Sequence, residues 1–272
     1  MSNRNQAGNV ILQRSASMAL ILTLGLSGCA TKKSPPMAVP AAAQTSVTTP
    51  VAPAPKTADA APDVLAQAAA QPSPPLEGDG WQRLFDGVTL TGWRETQFAG
   101  RGEVECRNGL MLLNMGDPFT GVNWTNDFPT MNYEVALDAM RVAGADFFCG
   151  LTVPVGNTFC SLIVGGWGGS LVGISSLDGM DASENETTRY MTFDYGHWYR
   201  IRLRVTPDRL EGWLDAKKIV DVVTTGKQIS LRVGDIEMSK PCGLASWQTT
   251  AAYRNIQMRR VTGPQDAPKK QL

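Results

Sequence analysis

Two stretches of strict alternation constrain this chain more than any other feature. In one, Tyr133, Val135, Leu137 and Ala139 alternate with Glu134, Ala136, Asp138 and Met140; in the other, Tyr199, Ile201, Leu203 and Val205 alternate with Arg200, Arg202 and Arg204. Successive side chains of a strand point to opposite faces, so this period of two predicts strands with one face in a core and one face wet. Asn108-Gly109, between GEVEC and LMLLN, is the strongest hairpin signal, because both residues tolerate the positive φ of a two-residue turn. Further strands are expected at 147–153, 159–164, 171–175, 210–214, 219–222, 243–247 and 253–260. Beyond Trp81 no long stretch carries a helical apolar stripe. Many short strands with Gly-rich turns predict an all-β domain, a two-sheet jelly-roll β-sandwich.

The chain before Trp81 has a different composition. Ten of the 17 prolines fall between Pro35 and Pro75, and no aromatic residue precedes Trp81. Such a segment cannot bury enough apolar surface to offset its ordering entropy, so residues 29–78 are expected to be a disordered tether. Ahead of it stand Arg4, Arg14 and the apolar run Met18–Leu26, too short to cross the ~30 Å core of a bilayer as a helix and similar to the apolar region of a secretory signal. Leu26-Ser27-Gly28-Cys29 resembles a bacterial lipobox, which makes residues 1–28 a signal peptide and Cys29 a lipidated mature N-terminus. Ala30 and Thr31 supply no aspartate of the kind that resembles an inner-membrane retention signal, so a lipid anchor in the outer membrane is expected. The folded domain then runs over 79–262, with a disordered tail at 263–272.

Charge and cysteine usage narrow the partners. The chain holds 25 basic and 25 acidic residues, and loss of Arg4 and Arg14 with the signal leaves 23 against 25. A near-neutral body argues against nucleic acid. Cys106, Cys149, Cys160 and Cys242 remain for the domain. With a two-residue turn near Val155-Gly156, Cys149 faces Leu162 and lies diagonal to Cys160, about 7–8 Å away, too far for a disulfide. Buried free thiols are expected.

Several chemistries lack their residues. His197 is the only histidine, and without G-x-S-x-G, C-x-x-C or H-E-x-x-H neither a serine triad nor a conventional zinc site has its parts. GGWGGS, Gly165–Ser170, is followed by a strand rather than by the helix a phosphate cradle requires, so its glycines read as a tight turn or bulge. Glu134 and Asp138, four residues apart on a strand, are separated by about 13 Å, beyond the ~5–9.5 Å of a hydrolytic carboxylate pair.

RLFDGVTLTGW, Arg83–Trp93, resembles the opening of the bacterial 3-keto-disaccharide hydrolase domain. RNGLMLL, NYEVALDAMR, GHWYRIRLRVTPDRLEGWLDAKKIVDV and YRNIQMRRV resemble that family's later segments, in the family's order and over most of residues 81–261. The resemblance implies a concanavalin-like or laminin-G-like jelly roll acting on sugars whose C3 hydroxyl is oxidised to a ketone. A C3 ketone acidifies the C2 proton, so one base and one group stabilising the enolate oxygen suffice to expel the C1 substituent. The chain departs from the family at DFFCGLTVPV and TFCSLIVGGW, where Phe148 and Cys149 replace an expected Asn-Ser and the next strand has no charge. Apolar residues on both faces leave little room for a polar groove over these strands, and the family's usual catalytic positions are not carried over.

Activity, if it has moved, is expected in SSLDGMDASENETTRY. Asp178, Asp181, Glu184, Asn185 and Glu186 are oxygen donors suited to Ca²⁺ or Mg²⁺, with Asp178, Asp181, Glu184 and Glu186 as the metal set; the competing reading is a solvated, self-repelling loop. His197 is the candidate base, with Asp178 and Asp181 beside it as catalytic candidates. Trp167, Asp146 and Arg202 are the candidate sugar contacts, Trp167 by stacking. Arg200, Arg202 and Arg204 either pair outward with Glu134 and Asp138 or floor a groove. Trp124 and Trp247 are read as core. Three functions follow: an envelope-tethered hydrolase or lyase of 3-keto-disaccharide-like sugars, a non-catalytic lectin-like module, and a purely structural lipoprotein. The first predicts a polar pocket at a sandwich edge; the second, an aromatic groove with no buried acid or base; the third, no pocket.

Overall fold

A computed structural model describes residues 61–261. The signal-peptide, Cys29 and tail expectations lie outside the described residues.

One helix, α1 (Ala61–Ala70), precedes fifteen strands: β1 (Gln82–Arg83), β2 (Trp93–Glu95), β3 (Val104–Arg107), β4 (Leu110–Leu113), β5 (Phe119–Trp124), β6 (Tyr133–Gly144), β7 (Cys149–Val155), β8 (Thr158–Gly166), β9 (Leu171–Ser175), β10 (Arg189–Tyr190), β11 (Trp198–Val205), β12 (Arg209–Leu214), β13 (Lys217–Val223), β14 (Gly243–Trp247) and β15 (Thr249–Arg260). A short 3₁₀ turn, Asp235–Ser239, precedes β14. The strands form two antiparallel sheets. The back sheet has the order β13-β12-β11-β6-β15-β4-β3, with β1 added on β15; the front sheet has the order β10-β9-β8-β7-β14-β5-β2. This is the expected two-sheet jelly roll.

The inward residues of the alternating segments fill the space between the sheets. Val135, Leu137, Ile201 and Leu203 from the back meet Leu151, Leu162, Val172 and Leu244 from the front, all 1 % exposed or less. Each such burial contributes about 1.5–3 kcal/mol relative to exposure. Two tyrosines tie the layers with hydrogen bonds as well: Tyr133 donates its hydroxyl to Pro154 O at 2.5 Å and Tyr253 to Phe148 O at 2.7 Å. Complete burial raises both phenols well above their ordinary range.

The hairpin signal is realised, since Arg107 pairs with Leu110 across Asn108 and Gly109 at φ 54° and 80°. The four cysteines are free, as expected. Their register differs, however: the β7–β8 turn falls on Gly156-Asn157, so Cys149 faces Val164 and Cys160 faces Val153. Burial pushes the Cys160 and Cys242 thiols up to about 12, which keeps them protonated and unreactive. β5, β2, β1 and β10 are strands beyond those expected.

Two expectations fail on the back sheet. β6 has no wet face: Glu134 is 0 % and Asp138 3 % exposed. A buried carboxylate must be paired, and the arginines of the flanking strands supply the partners. Glu134 Oε2 accepts from Arg204 Nη2 at 3.1 Å and Arg259 Nη2 at 2.9 Å, and Arg202 Nη1 lies 3.1 Å from Oε1 as an ion pair. Asp138 accepts from Arg200 at 2.8 Å, Arg254 at 3.3 Å, Ser73 at 2.6 Å and Asn255 at 2.9 Å. Burial alone would raise the Asp138 carboxyl, but these donors, Arg200 foremost, outweigh it and hold the group below the usual carboxylate range.

The second failure is the tether. Residues expected to be disordered up to 78 include α1, whose Leu65 and Ala68 are 2 % and 1 % exposed against Leu110, Leu112, Met140 and Ala252 of the back sheet. Proline composition concealed an Ala-rich segment of high helix propensity in which Pro62 sits harmlessly in the first turn. The backbone after the helix is held too. Trp198 Nε1 donates to Ala68 O at 2.9 Å, Arg254 Nη1 to Gln71 O at 2.8 Å and Arg200 Nη1 to Pro74 O at 2.6 Å. The first of these donors satisfies one of the C-terminal carbonyls a helix leaves open, and the other two hold the chain that follows it.

Candidate functional site

The outer face of the front sheet is only partly covered. Overlying segments press onto it where glycines omit a side chain: a Cβ at Gly121 would meet the Phe98 ring at 2.8 Å, and one at Gly243 would meet Ser239 O at 2.5 Å. At Gly173 the corresponding neighbour is Ala182 O at 2.9 Å. Between these laps lies a cleft of about 480 Å³. Phe119, Phe147, Ile163, Ile236 and Trp247 form its apolar wall, Trp167 stands at its edge, and Asp146, Ser161, Ser175, Arg232 and Asp235 supply its polar groups.

This corrects the expectation that the strands at 147–153 and 159–164 leave little room for a polar groove. Ile163 of β8 and Phe147, just ahead of β7, wall an open cleft in which Ser161 of β8 supplies a polar group. Phe119 packs edge-on to Trp247 at 4.6 Å and stacks on Phe98 at 4.7 Å, which fixes the ring planes. Phe148 and Cys149, by contrast, are fully buried between the sheets, so neither presents a side chain to this face.

Asp146 and Trp167, the two candidates from outside the acidic stretch, are brought together at this cleft. Asp146 Oδ1 accepts from Phe147 N at 2.7 Å, and Oδ2 accepts from Gly168 N at 2.9 Å, the residue after Trp167. The glycine-rich segment is the turn between β8 and β9, with a register shift between Val164 and Gly166. Trp167 itself has φ 48° and is 42 % exposed. Arg232 lies with its guanidinium 5.8 Å from the Trp167 ring centre, within cation–π range.

The acidic stretch is a hydrogen-bonded loop that leaves Asp178, Glu184 and Glu186 exposed at its surface. Asn185, 7 % exposed, knits it by donating to Ile174 O at 2.7 Å and Asp181 O at 2.8 Å and accepting from Thr187 N at 2.9 Å. Two of its carboxylates, Asp178 and Glu186, meet on Lys227, and Asp181 turns to Ser175 and Arg232. Asp178 accepts from Gln228 N at 2.8 Å and Lys227 at 2.9 Å, and those donors hold its carboxyl below the usual range, which makes it a poor base. Glu186 shares Lys227 at 3.0 Å, and Glu184 is exposed. Asp181 lies behind the cleft wall, accepting from Ser175 Oγ at 2.5 Å and pairing with Arg232 at 2.7 Å. Among the described residues no three His, Cys, Asp or Glu side chains form a set able to hold a metal ion. The Ca²⁺ or Mg²⁺ expectation therefore has no ligand set there.

Two further candidates lie elsewhere. His197 is exposed at the entry to β11, edge-on to Tyr199 at 4.6 Å, and is not among the residues lining the cleft. Arg202 belongs to the back sheet, paired with Glu134 and lying 4.1 Å over the Trp213 ring. Of the two readings for the arginine stripe, outward pairing is realised.

Trp247, read as core, is a cleft wall. Phe119, Ser161, Ser175 and Trp247 all belong to strands, and period-two alternation could have placed them outside. Arg232 and Asp235 carry no such signal, because their segment reaches the cleft through a non-local pairing, Ser176 N to Ser230 O at 2.7 Å and Leu177 opposite Ile229.

The sequence profile of the 3-keto-alpha-glucoside-1,2-lyase-like domain matches residues 80–259. Among solved structures, the carbohydrate-binding module CBM66 from Bacillus subtilis is similar at 15 % identity over 62 % of this chain and 95 % of its own, with a TM-score of 0.43. The β-glucanase of Bacillus licheniformis is similar at 10 % identity over 68 % of this chain and 100 % of its own, with a TM-score of 0.46. Among curated protein sequences none matches.

Proposed function

From the premise that this chain belongs to the 3-keto-alpha-glucoside-1,2-lyase-like family, we propose that its front cleft binds a carbohydrate and serves as a glycan-recognition site. One observation carries this reading: aromatic faces and short polar side chains converge in the same open cleft, while the sole histidine stays outside it. A sugar ring offers apolar C–H faces and a rim of hydroxyls. Trp167 and Trp247 suit the first, and Asp146, Ser161, Ser175 and Arg232 suit the second. Calorimetric titration of the purified domain with a panel of disaccharides tests the proposal. Saturable binding that Trp247→Ala weakens is expected, and absence of binding across the panel contradicts it.

Family membership, together with the carboxylates of Asp146 and Asp235 at the cleft, favours a second reading, cleavage of 3-keto-glycosides. In that step the C2 proton passes to a carboxylate, a C1–C2 double bond forms, the C1–O bond breaks and the departing oxygen takes up a proton. Arg232 would stabilise the negative charge that builds on the C3 oxygen. Incubation with a 3-keto-disaccharide, followed by the absorbance of the enone, distinguishes the readings: turnover supports cleavage, and binding without turnover supports recognition.

The setting belongs to the proposal as well. Leu26-Ser27-Gly28-Cys29 after an apolar run supports a lipid anchor at Cys29 in the bacterial envelope, at the outer membrane. Metabolic labelling with a fatty acid should mark the wild type and not Cys29→Ala.

A further inference from the structure

Arg141 is 5 % exposed, and among the described residues no carboxylate lies within ion-pair reach of it. A buried cation without a counter-charge is costly, so what its guanidinium touches matters. Nη2 faces three backbone carbonyls, Gly169 O at 2.9 Å, Asp146 O at 3.1 Å and Gly165 O at 3.2 Å. Two of these belong to the turn that carries Trp167, and the third to the segment that carries Asp146. The rings of Phe148, Tyr195 and Phe193 lie 5.2 Å, 5.8 Å and 6.0 Å from its Cζ, and the Asp146 carboxylate adds a longer-range attraction. A Cβ on Gly165 would stand 2.6 Å from Nη2, and one on Gly169, at φ 106°, would stand 2.9 Å from Ala145 O, so glycine at both positions lets the chain approach the guanidinium.

We infer that Arg141 is the positioning residue of the cleft, clamping the Trp167 turn to the Asp146 segment from beneath. The inference deepens the carbohydrate reading and rests on it for its functional consequence. The clamp and the Asp146–Gly168 hydrogen bond hold the turn at Gly165, Gly168 and Gly169, which fixes the backbone that carries Trp167 before a ligand arrives. Pre-organisation of this kind favours binding by removing an ordering cost. Lysine cannot replace the fork, because its ammonium is a point donor on a flexible stem.

Hydrogen exchange on the intact chain tests the clamp without any ligand. In Arg141→Lys the amides of residues 166–170 should lose protection while those of β11 keep theirs. Unchanged protection in the turn, or an equal loss through both sheets, overturns the positioning role. Disaccharide titration then tests the consequence: Arg141→Lys should weaken binding roughly ten-fold in the wild-type background and not further in a Trp167→Ala background. Equal losses in both backgrounds overturn the coupling. If the wild type binds no sugar, the carbohydrate reading fails, while the exchange result still decides what Arg141 does.

Discussion

The two outer faces of the sandwich are built from the same alternating pattern and reach opposite ends. The back face buries Glu134 and Asp138 under five arginines and α1. The two carboxylates and the five arginines over them are all paired with one another, so this cluster is a structural lattice. The front face puts aromatic rings and small polar side chains outward, and segments lap it only where glycines let them approach. Coverage, rather than strand chemistry, separates scaffold from site.

Breaking the back lattice should give the largest effect. Glu134→Ala leaves Arg202, Arg204 and Arg259 facing one another, and loss of one partner of a buried ion cluster costs about 3–5 kcal/mol; denaturant unfolding should register that loss. Leu65→Ala should cost about 2–4 kcal/mol by opening a cavity under α1, and a negligible change would mean that the helix does not dock. The pH dependence sharpens the contrast further. Because the Asp138 carboxyl sits below its ordinary value of 3.8 when folded, the unfolded chain binds the proton more readily as pH falls. Its stabilisation is present above about pH 4 and is lost as pH drops through the lower folded value. Asp138→Asn, less stable at neutrality, should show a shallower acid limb in pH-dependent unfolding. The smallest effect belongs to His197→Ala, which should leave both sugar binding and stability unchanged, since its ring touches only Tyr199 among the aromatic residues.

Much of the fold was legible because burial writes a period of two into strands. Tyr133–Met140 and Tyr199–Val205 gave the back sheet, Asn108-Gly109 gave a hairpin, and β9 and β14 fall at the expected residues. What alternation conceals is whether an outward face is wet. Glu134 and Asp138 read as solvent-facing, yet partners that lie far away in sequence bury them. The tether was misread for a related reason: composition averages over prolines, whereas Leu65 and Ala68 need only one helical turn to cover the sheet. At the cleft, the exposure of Trp167 was legible from the glycines around it, and Asp146 lines the same cleft. Arg232, Asp235 and the outward role of Trp247 depend on which loops cross the sheet, and local sequence does not encode that.

The central claim is that the front face, and not the back, meets the sugar, and one tryptophan on each face puts it to a direct test. Trp167 borders the cleft, whereas Trp213 lies on the back sheet with Arg202 at 4.1 Å and Lys218 at 5.3 Å from its ring centre. With the disaccharide that binds best to the wild type, calorimetric titration should find Trp167→Ala at least about ten-fold weaker and Trp213→Ala unchanged. Loss of binding in Trp213→Ala with full binding in Trp167→Ala would contradict the account.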